Sequence, residues 1–439
     1  MEKSFVRASL GPLLAGFLVL SGGRAPAGDE IPEALLRRKD PQRVAEVLQG
    51  KRPMASAAWW GFNPDDATEA LQEAVSSGAR RLIVPEMGRP WVVARTIRLA
   101  SNQEIVFQRG VVLEAMKGKF LGKGEALVQA ADRRDITLRG DGVTFLMHKE
   151  DYTKPPYEKA EWRHALSLVG CTRVKVYGLT LRRSGGDGIY LGATGTQNFC
   201  QDVHVKDVTC DGNHRQGISV ISAENLLIEN CRLLGTRGTA PQAGIDLEPN
   251  HETERLVNCT IRGCVVEDNA GPGLLAYLGP LSGRSPALSV RFEDCVVRRC
   301  GSFGLGVGMV REKGPKGSVE FRSVRVEGTE GPGAYVYDKA AEGAAVRFVC
   351  CTWKETARKR DNPVVISLRS TNRTERPGGV EFVDCTIEDG KDRPAVATQG
   401  KALQTGIFKI QGTIRVKNPH GARADLGPRQ ENVSLTITR

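Results

Sequence analysis

The chain has 439 residues, 40% of them hydrophobic, and carries 62 Lys+Arg against 51 Asp+Glu for a formal net charge of +11. The basic surplus favours anionic partners, with a scattered solubilising charge as the alternative. It does not indicate a nucleic-acid partner, because no basic cluster is interleaved with aromatic residues and no reading helix is recognisable. A chain of this length would usually hold two or three domains, although a repeat protein can run this long as one unit.

The first 27 residues predict a signal peptide. Lys3 and Arg7 precede an apolar run over residues 8–20, and the small residues 25–27 offer a cleavage site. The run is too short to span a bilayer comfortably, and no later segment is apolar enough to do so. We therefore expect an exported protein, secreted or held in the periplasm or cell envelope, without membrane contact after signal removal. A retained signal anchor is the alternative.

Two short helices and a set of strands are predicted next. Asp40-Pro41 and Gly50 bracket the first helix, which we interpret as an N-terminal appendage within residues 28–58. The second helix follows Asp65-Asp66, has apolar residues at helical spacing and ends at Gly78. The strands after it lie near residues 82–85, 96–99 and 104–107.

Internal repetition decides the predicted fold. One apolar column recurs at intervals of two to three dozen residues, in segments rich in β-branched residues: Leu179, Val208, Cys231, Cys264, Cys295, Val324, Cys351 and Cys385. Glycine-led strands run in phase with it, at Gly188, Gly217, Gly244, Gly273, Gly304 and Gly333. Small polar or thiol residues precede most of these glycines by four positions and predict a turn-to-turn ladder: Ser184, Asn213, Asn269, Cys300 and Thr329. Stacked coils are therefore predicted over residues 59–400, with residues 401–439 completing or capping the last one.

This layout resembles the pectate-lyase-like β-helix superfamily: a helix over the first coil, then the proline-ended strand 82–85, then stacked coils. The resemblance implies an all-β, right-handed, single-stranded parallel β-helix with a short N-terminal capping helix, and a leaning toward carbohydrate. It transfers no catalytic residue. The Asn-x-Asp, Asp-Asp and Gly-His-Gly set of polygalacturonases, the Asp-Pro-His-Asp of mannuronan epimerases and the arginine-rich strand of calcium pectate lyases are all missing from the sequence.

The eleven cysteines of an exported protein would normally suggest disulfides, but the odd count requires at least one free thiol. Five of them share the apolar column, where a thiol behaves as a small hydrophobe. Stacked strands present parallel Cβ vectors, which suit disulfide geometry poorly. We therefore expect thiols, with Cys300 and Cys350 left open.

Side chains alternate along a strand, so the glycine-led strands have one inward and one outward face. Asp246 and Glu248 share the outward face, about 6.5–7 Å apart at Cα. Carboxyl groups about 6.5–9.5 Å apart suit an inverting glycosidase and about 5–5.5 Å a retaining one. We predict Asp246 and Glu248 as the catalytic acid and base. Neighbouring coils and turns supply predicted substrate-binding residues: Asp187, Tyr190, His214, Arg215 and Tyr277.

Simpler interpretations exist for each of these residues. Exposed carboxylates are commonly solubilising, and the tyrosines can be packed under loops.

Glycines elsewhere on this face would leave room for a ligand, and the long loop over residues 236–243 would form a wall beside that ligand. No metal or other cofactor is predicted; bound Ca²⁺ at Asp187, Asp246, Glu248 and His251 is the alternative.

The predicted function is that of a carbohydrate-active protein with a polysaccharide partner, for which the basic surplus favours an anionic glycan. Two carboxylates favour hydrolysis of the glycan. One alternative is a lyase acting on uronate glycans, with Tyr277, His214 and Arg215 in the reacting roles. The other is a non-catalytic glycan-binding or cell-envelope protein, on which the same face is only a platform.

Overall fold

The computed structural model describes residues 38–359, 361–370 and 372–439, so the predicted signal peptide lies outside the described residues. Almost all strands belong to two parallel sheets, one of 22 strands (sheet 1) and one of 12 strands (sheet 2). Successive coils of the chain contribute to both sheets in turn, which makes a right-handed parallel β-helix. The predicted fold class is confirmed.

Within the described part of the chain, three short α-helices lie near the two ends: α1 Pro41–Leu48, α2 Thr68–Ser76 and α3 Ala402–Thr405. Sheet 2 contains the six glycine-led strands, β11 to β26 in this list, and six others: β4 Ile97–Arg98, β7 Val128–Ala131, β9 Leu166–Val169, β11 Ile189–Gly192, β14 Ile218–Val220, β17 Ile245–Leu247, β20 Leu274–Tyr277, β23 Leu305–Gly308, β26 Ala334–Tyr337, β29 Val364–Leu368, β31 Val396–Gly400 and β33 Ala424–Asp425.

Sheet 1 winds around the rest of each coil and contains the other strands: β1 Met54–Ser56, β2 Arg81–Val84, β3 Trp91–Val93, β5 Gln103–Phe107, β6 Val112–Ala115, β8 Arg134–Leu146, β10 Thr172–Arg182, β12 Cys200–Lys206, β13 Thr209–Asp211, β15 Ala223–Glu229, β16 Arg232–Leu234, β18 Leu256–Arg262, β19 Val265–Glu267, β21 Leu288–Glu293, β22 Val296–Arg298, β24 Gly317–Arg322, β25 Arg325–Glu327, β27 Ala345–Val349, β28 Thr352–Lys354, β30 Gly378–Glu388, β32 Ile407–Lys417 and β34 Gln430–Thr438.

The apolar column that predicted the coils lies in the core, in register from coil to coil. Arg232 pairs with Val265 and Val265 with Val296, so the cysteines just before them stack on one another. Every member of the column is buried. All eleven cysteines are free thiols, and only Cys350 is exposed. The Sγ of Cys264 donates to the carbonyl of Arg262 at 3.4 Å.

The predicted polar column is also buried, but its hydrogen bonds differ from a side-chain ladder. Asn269 Oδ1 accepts from the backbone N–H of Thr236 at 2.9 Å, and its Nδ2 donates to the carbonyl of Leu233 at 3.0 Å. Asn213 makes the same two bonds to the coil before it. Each amide therefore satisfies the backbone at a bend of the preceding coil, where no strand partner is available.

The N-terminal end is covered as predicted. In α2, Leu71, Ala74 and Val75 are buried against the first coil. Helix α1 buries Val44 and Val47, and β1 pairs in parallel with β2, so the coils begin before residue 59. At the other end β32 and β34 extend sheet 1, so residues 401–439 add strands to the solenoid. Among the described residues, none of the helices has the length and apolar character needed to cross a membrane.

Candidate functional site

The outward face of sheet 2 carries the predicted site residues in register. Tyr190 of β11 pairs with Ser219 of β14, and Ser219 pairs with Asp246 of β17. Asp246 in turn pairs with Leu275, whereas Tyr277 lies beside Glu248. The adjacent residues of β17, Ile245 and Leu247, are buried in the core, as strand alternation requires.

Asp246 points outward but is completely covered by other side chains. Gln216 Nε2 donates to its Oδ2 at 3.0 Å, while its Oδ1 has no hydrogen-bond partner. Burial, and then the neighbouring carboxylate of Glu248, raises the pKa of Asp246 well above its usual range. This carboxyl group therefore keeps its proton to higher pH than an ordinary aspartic acid does. The interpretation of Asp246 as a solubilising surface residue is wrong.

Glu248 and Arg215 form an ion pair directly beside Asp246. Arg215 Nη2 donates to Glu248 Oε2 at 2.7 Å, and the Arg215 guanidinium also lies 3.5 Å from Glu161 and 3.9 Å from Asp187. Burial lowers the pKa of Arg215, but the carboxylates of Asp187 and Glu248 outweigh it and raise the pKa overall. The Glu248 side chain is 25% exposed and Arg215 only 13%. Arg215 is thus the counter-ion of a carboxylate cluster, and Glu248 is the accessible member.

Asp187 is the second buried carboxylate of the cluster. Neither of its oxygens has a hydrogen-bond partner, and His164 Nδ1 lies 3.3 Å from Oδ2. The same Nδ1 accepts the backbone N–H of Asp187 at 3.0 Å. His164 also stacks on Tyr190, with ring centroids 4.6 Å apart. Burial, and then Asp187, raises the pKa of Tyr190 to about 12.

His164 was not among the predicted site residues. A signal was nevertheless present, because His164 occupies the same position before β9 that Asp187 occupies before β11. Residues at matching positions of successive coils stack on one another. Glu161 had no such signal, because it belongs to a loop without a counterpart in the neighbouring coils.

His214 lies apart from the carboxylate cluster. Its Nε2 is 2.9 Å from Thr239 Oγ1, and burial, with nearby Lys149, lowers its pKa. It lines a cleft of about 450 Å³ together with Trp162. Thr239 of the loop over residues 236–243 lines this cleft, and Lys149 Nζ donates to the Arg237 carbonyl at 3.1 Å.

The glycines of the outward face do not leave open space for a ligand, which corrects the expectation from the sequence. A Cβ at Gly308 would lie closer than 3.0 Å to the ring of Tyr337, and one at Gly306 would meet Phe303 in the same way. Arg369 covers the Tyr337 ring from outside, 4.0 Å from its centroid. These glycines accommodate aromatic rings from the protein itself.

The four residues of the predicted calcium alternative do not form one group. His251 is exposed, and its ring nitrogen bonds Thr253 Oγ1 at 2.9 Å. Within residues 38–359, 361–370 and 372–439, no three His, Cys, Asp or Glu side chains converge as a metal-binding group. Asp187, Asp246 and Glu248 are grouped around Arg215 instead.

The fold and this cluster define a β-helix protein with buried carboxylates on the outward face of one sheet. The family model for the right-handed β-helix region matches residues 159–352, in agreement with the right-handed parallel β-helix of the structure. No curated protein matches its sequence significantly.

Solved structures show the same fold at low sequence identity. The A-module of the mannuronan C-5 epimerase AlgE4 of Azotobacter vinelandii is 13% identical, with 87% of this chain and 100% of that one covered and a TM-score of 0.64. The AlgE6 A-module of the same organism is 15% identical, with 87% and 99% covered and a TM-score of 0.54. Pre-mature gene product 12 of bacteriophage phi29 is 16% identical, with 82% and 52% covered and a TM-score of 0.51.

Proposed function

We propose that this protein is a carbohydrate-active enzyme that hydrolyses a polysaccharide, with Asp246 and Glu248 as its acid/base pair. The observation that carries the proposal is the fully buried Asp246, whose Oδ1 is unpaired and whose pKa is raised well above its usual range. A buried and unsatisfied carboxyl group costs stability, and such groups concentrate at functional sites. Two of the similar folds belong to enzymes named for acting on the polysaccharide mannuronan.

The pair supplies one acidic proton and one carboxylate, the combination that glycoside hydrolysis requires. Burial, and then the neighbouring Glu248 carboxylate, raises the pKa of Asp246, so Asp246 is the member of the pair that holds a proton to higher pH. The pair gives its proton to the leaving glycosidic oxygen as the bond from that oxygen to the sugar carbon breaks. It takes a proton back from the water whose oxygen bonds to that carbon, and is restored.

The surrounding residues hold the pair in place and contact the sugar. Glu248 reaches the substrate, because its side chain is partly exposed and Asp246 is not. Tyr277 lies beside Glu248 in the next coil and would contact the sugar there. Tyr190, with its pKa at about 12, stays a hydroxyl donor throughout the ordinary pH range. Arg215 Nη2 donates to Glu248 Oε2 and orients that carboxyl group.

Hydrolysis is favoured over β-elimination by the surroundings of Arg215. A lyase needs a cation to neutralise the uronate carboxylate, and Arg215 already faces Glu248, Glu161 and Asp187. His214, the other predicted lyase residue, bonds Thr239 at the neighbouring cleft. A neutral sugar unit at the cleavage position therefore suits this cluster better than a uronate.

The test is a screen of purified protein against glucomannan, xylan, mannuronan and polygalacturonate. Release of reducing sugar without ultraviolet absorbance from unsaturated uronate is the expected result. Absorbance of that kind would identify a lyase, and binding without either product would identify a non-catalytic glycan-binding protein. Both results would overturn the proposal.

We also propose that the protein is exported, with residues 1–27 as a cleaved signal peptide. The supporting features are the basic start, the short apolar run and the small residues before Gly28. N-terminal sequencing of the protein from the extracellular or periplasmic fraction should begin at Gly28. A chain that stays in the cytoplasm with Met1 intact would refute export.

A further inference from the structure

A second cleft lies on the outward face of sheet 2, three coils beyond Asp246. Asp246 pairs with Leu275, Leu275 with Gly306, and Gly306 with Tyr335. Three strand spacings place Tyr335 about 14 Å from Asp246 along the helix axis. The cleft has a volume of about 430 Å³, within the usual range of small-molecule sites. Its lining includes Phe303, Tyr335, Lys359, Asp361, Arg369 and Gln399.

One wall of this cleft is aromatic. The ring centroids of Phe303 and Tyr335 lie 5.4 Å apart, and Tyr335 in turn stacks on Tyr337 with centroids 5.0 Å apart. Tyr335 is only half-buried, so part of its ring faces the cleft. A fixed aromatic ring with an open side can pack against the C–H face of a sugar ring at little cost in side-chain entropy.

The remaining lining offers polar groups, and its two cations are each already paired with a carboxylate. Lys359 pairs with Glu330, and Arg369 pairs with Asp338 at 3.0 Å. Gln399 Nε2 lies 3.5 Å from Asp361 Oδ1, a weak contact that a ligand hydroxyl could replace. Planar acceptors and donors around an aromatic ring match the hydroxyl groups of a neutral sugar. An anionic sugar would have to compete with Glu330 and Asp338 for the two cations.

We infer that the cleft at Tyr335 is a binding site for a neutral sugar unit of the glycan that is cleaved at Asp246 and Glu248. The cleavage part of this inference rests on the proposed function, whereas binding at the cleft does not. A glycan lying along the helix axis would pass Tyr277 and reach Tyr335, so oligosaccharides too short to span three coils lose the contact. Turnover should therefore improve with chain length.

The binding experiment uses the full chain as Glu248→Gln, so that the probe is not consumed. Cellohexaose, mannohexaose and xylohexaose are titrated calorimetrically, with a mannuronate hexamer as the charged comparison. We expect at least one neutral hexaose to bind, and Tyr335→Leu to weaken that binding at least tenfold. Tyr177→Leu is the matched control, because Tyr177 is a half-buried tyrosine on sheet 1.

A second variant covers the case in which Tyr335→Leu disturbs folding. Gln399→Ala removes one polar group from the far wall without touching the aromatic stack, and we expect a several-fold loss of affinity. Binding that ignores both variants, tighter binding of the mannuronate hexamer, or no binding at all would overturn the inference. Binding that depends on Tyr335 in a wild-type protein that releases no reducing sugar would refute the proposed hydrolysis and leave the sugar site standing.

Discussion

Arg215 donates to Glu248 across 2.7 Å, and this ion pair lies beside the buried carboxyl group of Asp246, whose pKa is raised by burial. The arrangement combines a fixed carboxylate with a neighbouring acid in one solvent-poor place. Sheet 1 contains an ordinary counterpart, in which Arg255 donates to Glu224 at 3.0 Å. Substitutions in the two pairs can therefore be compared, to distinguish the loss of a reacting carboxylate from the loss of an ion pair.

Glu248→Gln should lower glycan hydrolysis by about 100-fold or more, because general acid/base groups typically contribute that much. Glutamine keeps the shape of the side chain but cannot accept a proton from water. Glu224→Gln is the control, since Glu224 is 29% exposed and paired with an arginine, much like Glu248. Initial rates of reducing-sugar release measure both variants. Equal rates for the two would remove Glu248 from the mechanism.

Asp246→Asn should stabilise the protein increasingly as the pH rises. The folded state holds the Asp246 proton and the unfolded chain loses it above the ordinary aspartate pKa, so wild-type stability falls with rising pH until the raised pKa is reached. Each tenfold difference between the two dissociation constants corresponds to about 1.4 kcal/mol. Asparagine removes this dependence while its amide oxygen can still accept from Gln216.

Thermal unfolding of wild type and Asp246→Asn at about pH 4 and about pH 8 measures the effect. The difference in midpoint should be small at the acid end and should favour the variant at the alkaline end. Asp338→Asn is the opposite control, because buried Asp338 accepts from Arg369 and Ser370 and should lose stability at both pH values. Parallel pH profiles for wild type and Asp246→Asn would mean that Asp246 is ionised in the fold.

Much of the fold could be predicted from the sequence because stacked coils repeat the same physical requirement. Cys231, Cys264 and Cys295 each fill one inward position, so their spacing reports the coil length directly. The carboxylate pair could be placed on one face for the same reason. The burial of Asp246 could not be predicted. Gln216 and Arg215 lie next to Asp246 and belong to a turn, and the alternation of side chains along strands does not predict the path of a turn.

The glycine interpretation failed for a related reason. Gly306 and Gly308 mark positions where a side chain larger than a hydrogen atom does not fit, but the sequence does not say which group fills the space over them. The occupants are the rings of Phe303 and Tyr337, one three residues earlier and one in the next coil. Contacts between side chains of neighbouring coils depend on rotamers rather than on the strand period.

Thiol titration should find eleven reactive cysteines in the denatured, unreduced protein and one in the native protein. Ten thiols are buried, and burial raises the pKa of Cys200 and of Cys259 to about 12, so the reactive thiolate is scarce in the fold. Cys350 is exposed and should account for the native reaction. Cys350→Ser should abolish it. A denatured count well below eleven would indicate disulfides and contradict the stacked thiol column.

Gly308→Ala should destabilise the protein by about 1–3 kcal/mol, the usual cost of overpacking. The added methyl group would overlap the Tyr337 ring, which would have to leave its place beneath Arg369. Gly195→Ala is the control, because an added Cβ there meets nothing within 4 Å. Denaturant unfolding compares the two variants. If Gly308→Ala is as stable as Gly195→Ala, the Tyr337 ring does not occupy the space over Gly308 in solution. The space over Gly308 would then be open to a glycan that runs from Glu248 to Tyr335. The glycan, and not the Tyr337 ring, would fill the surface between the two sites.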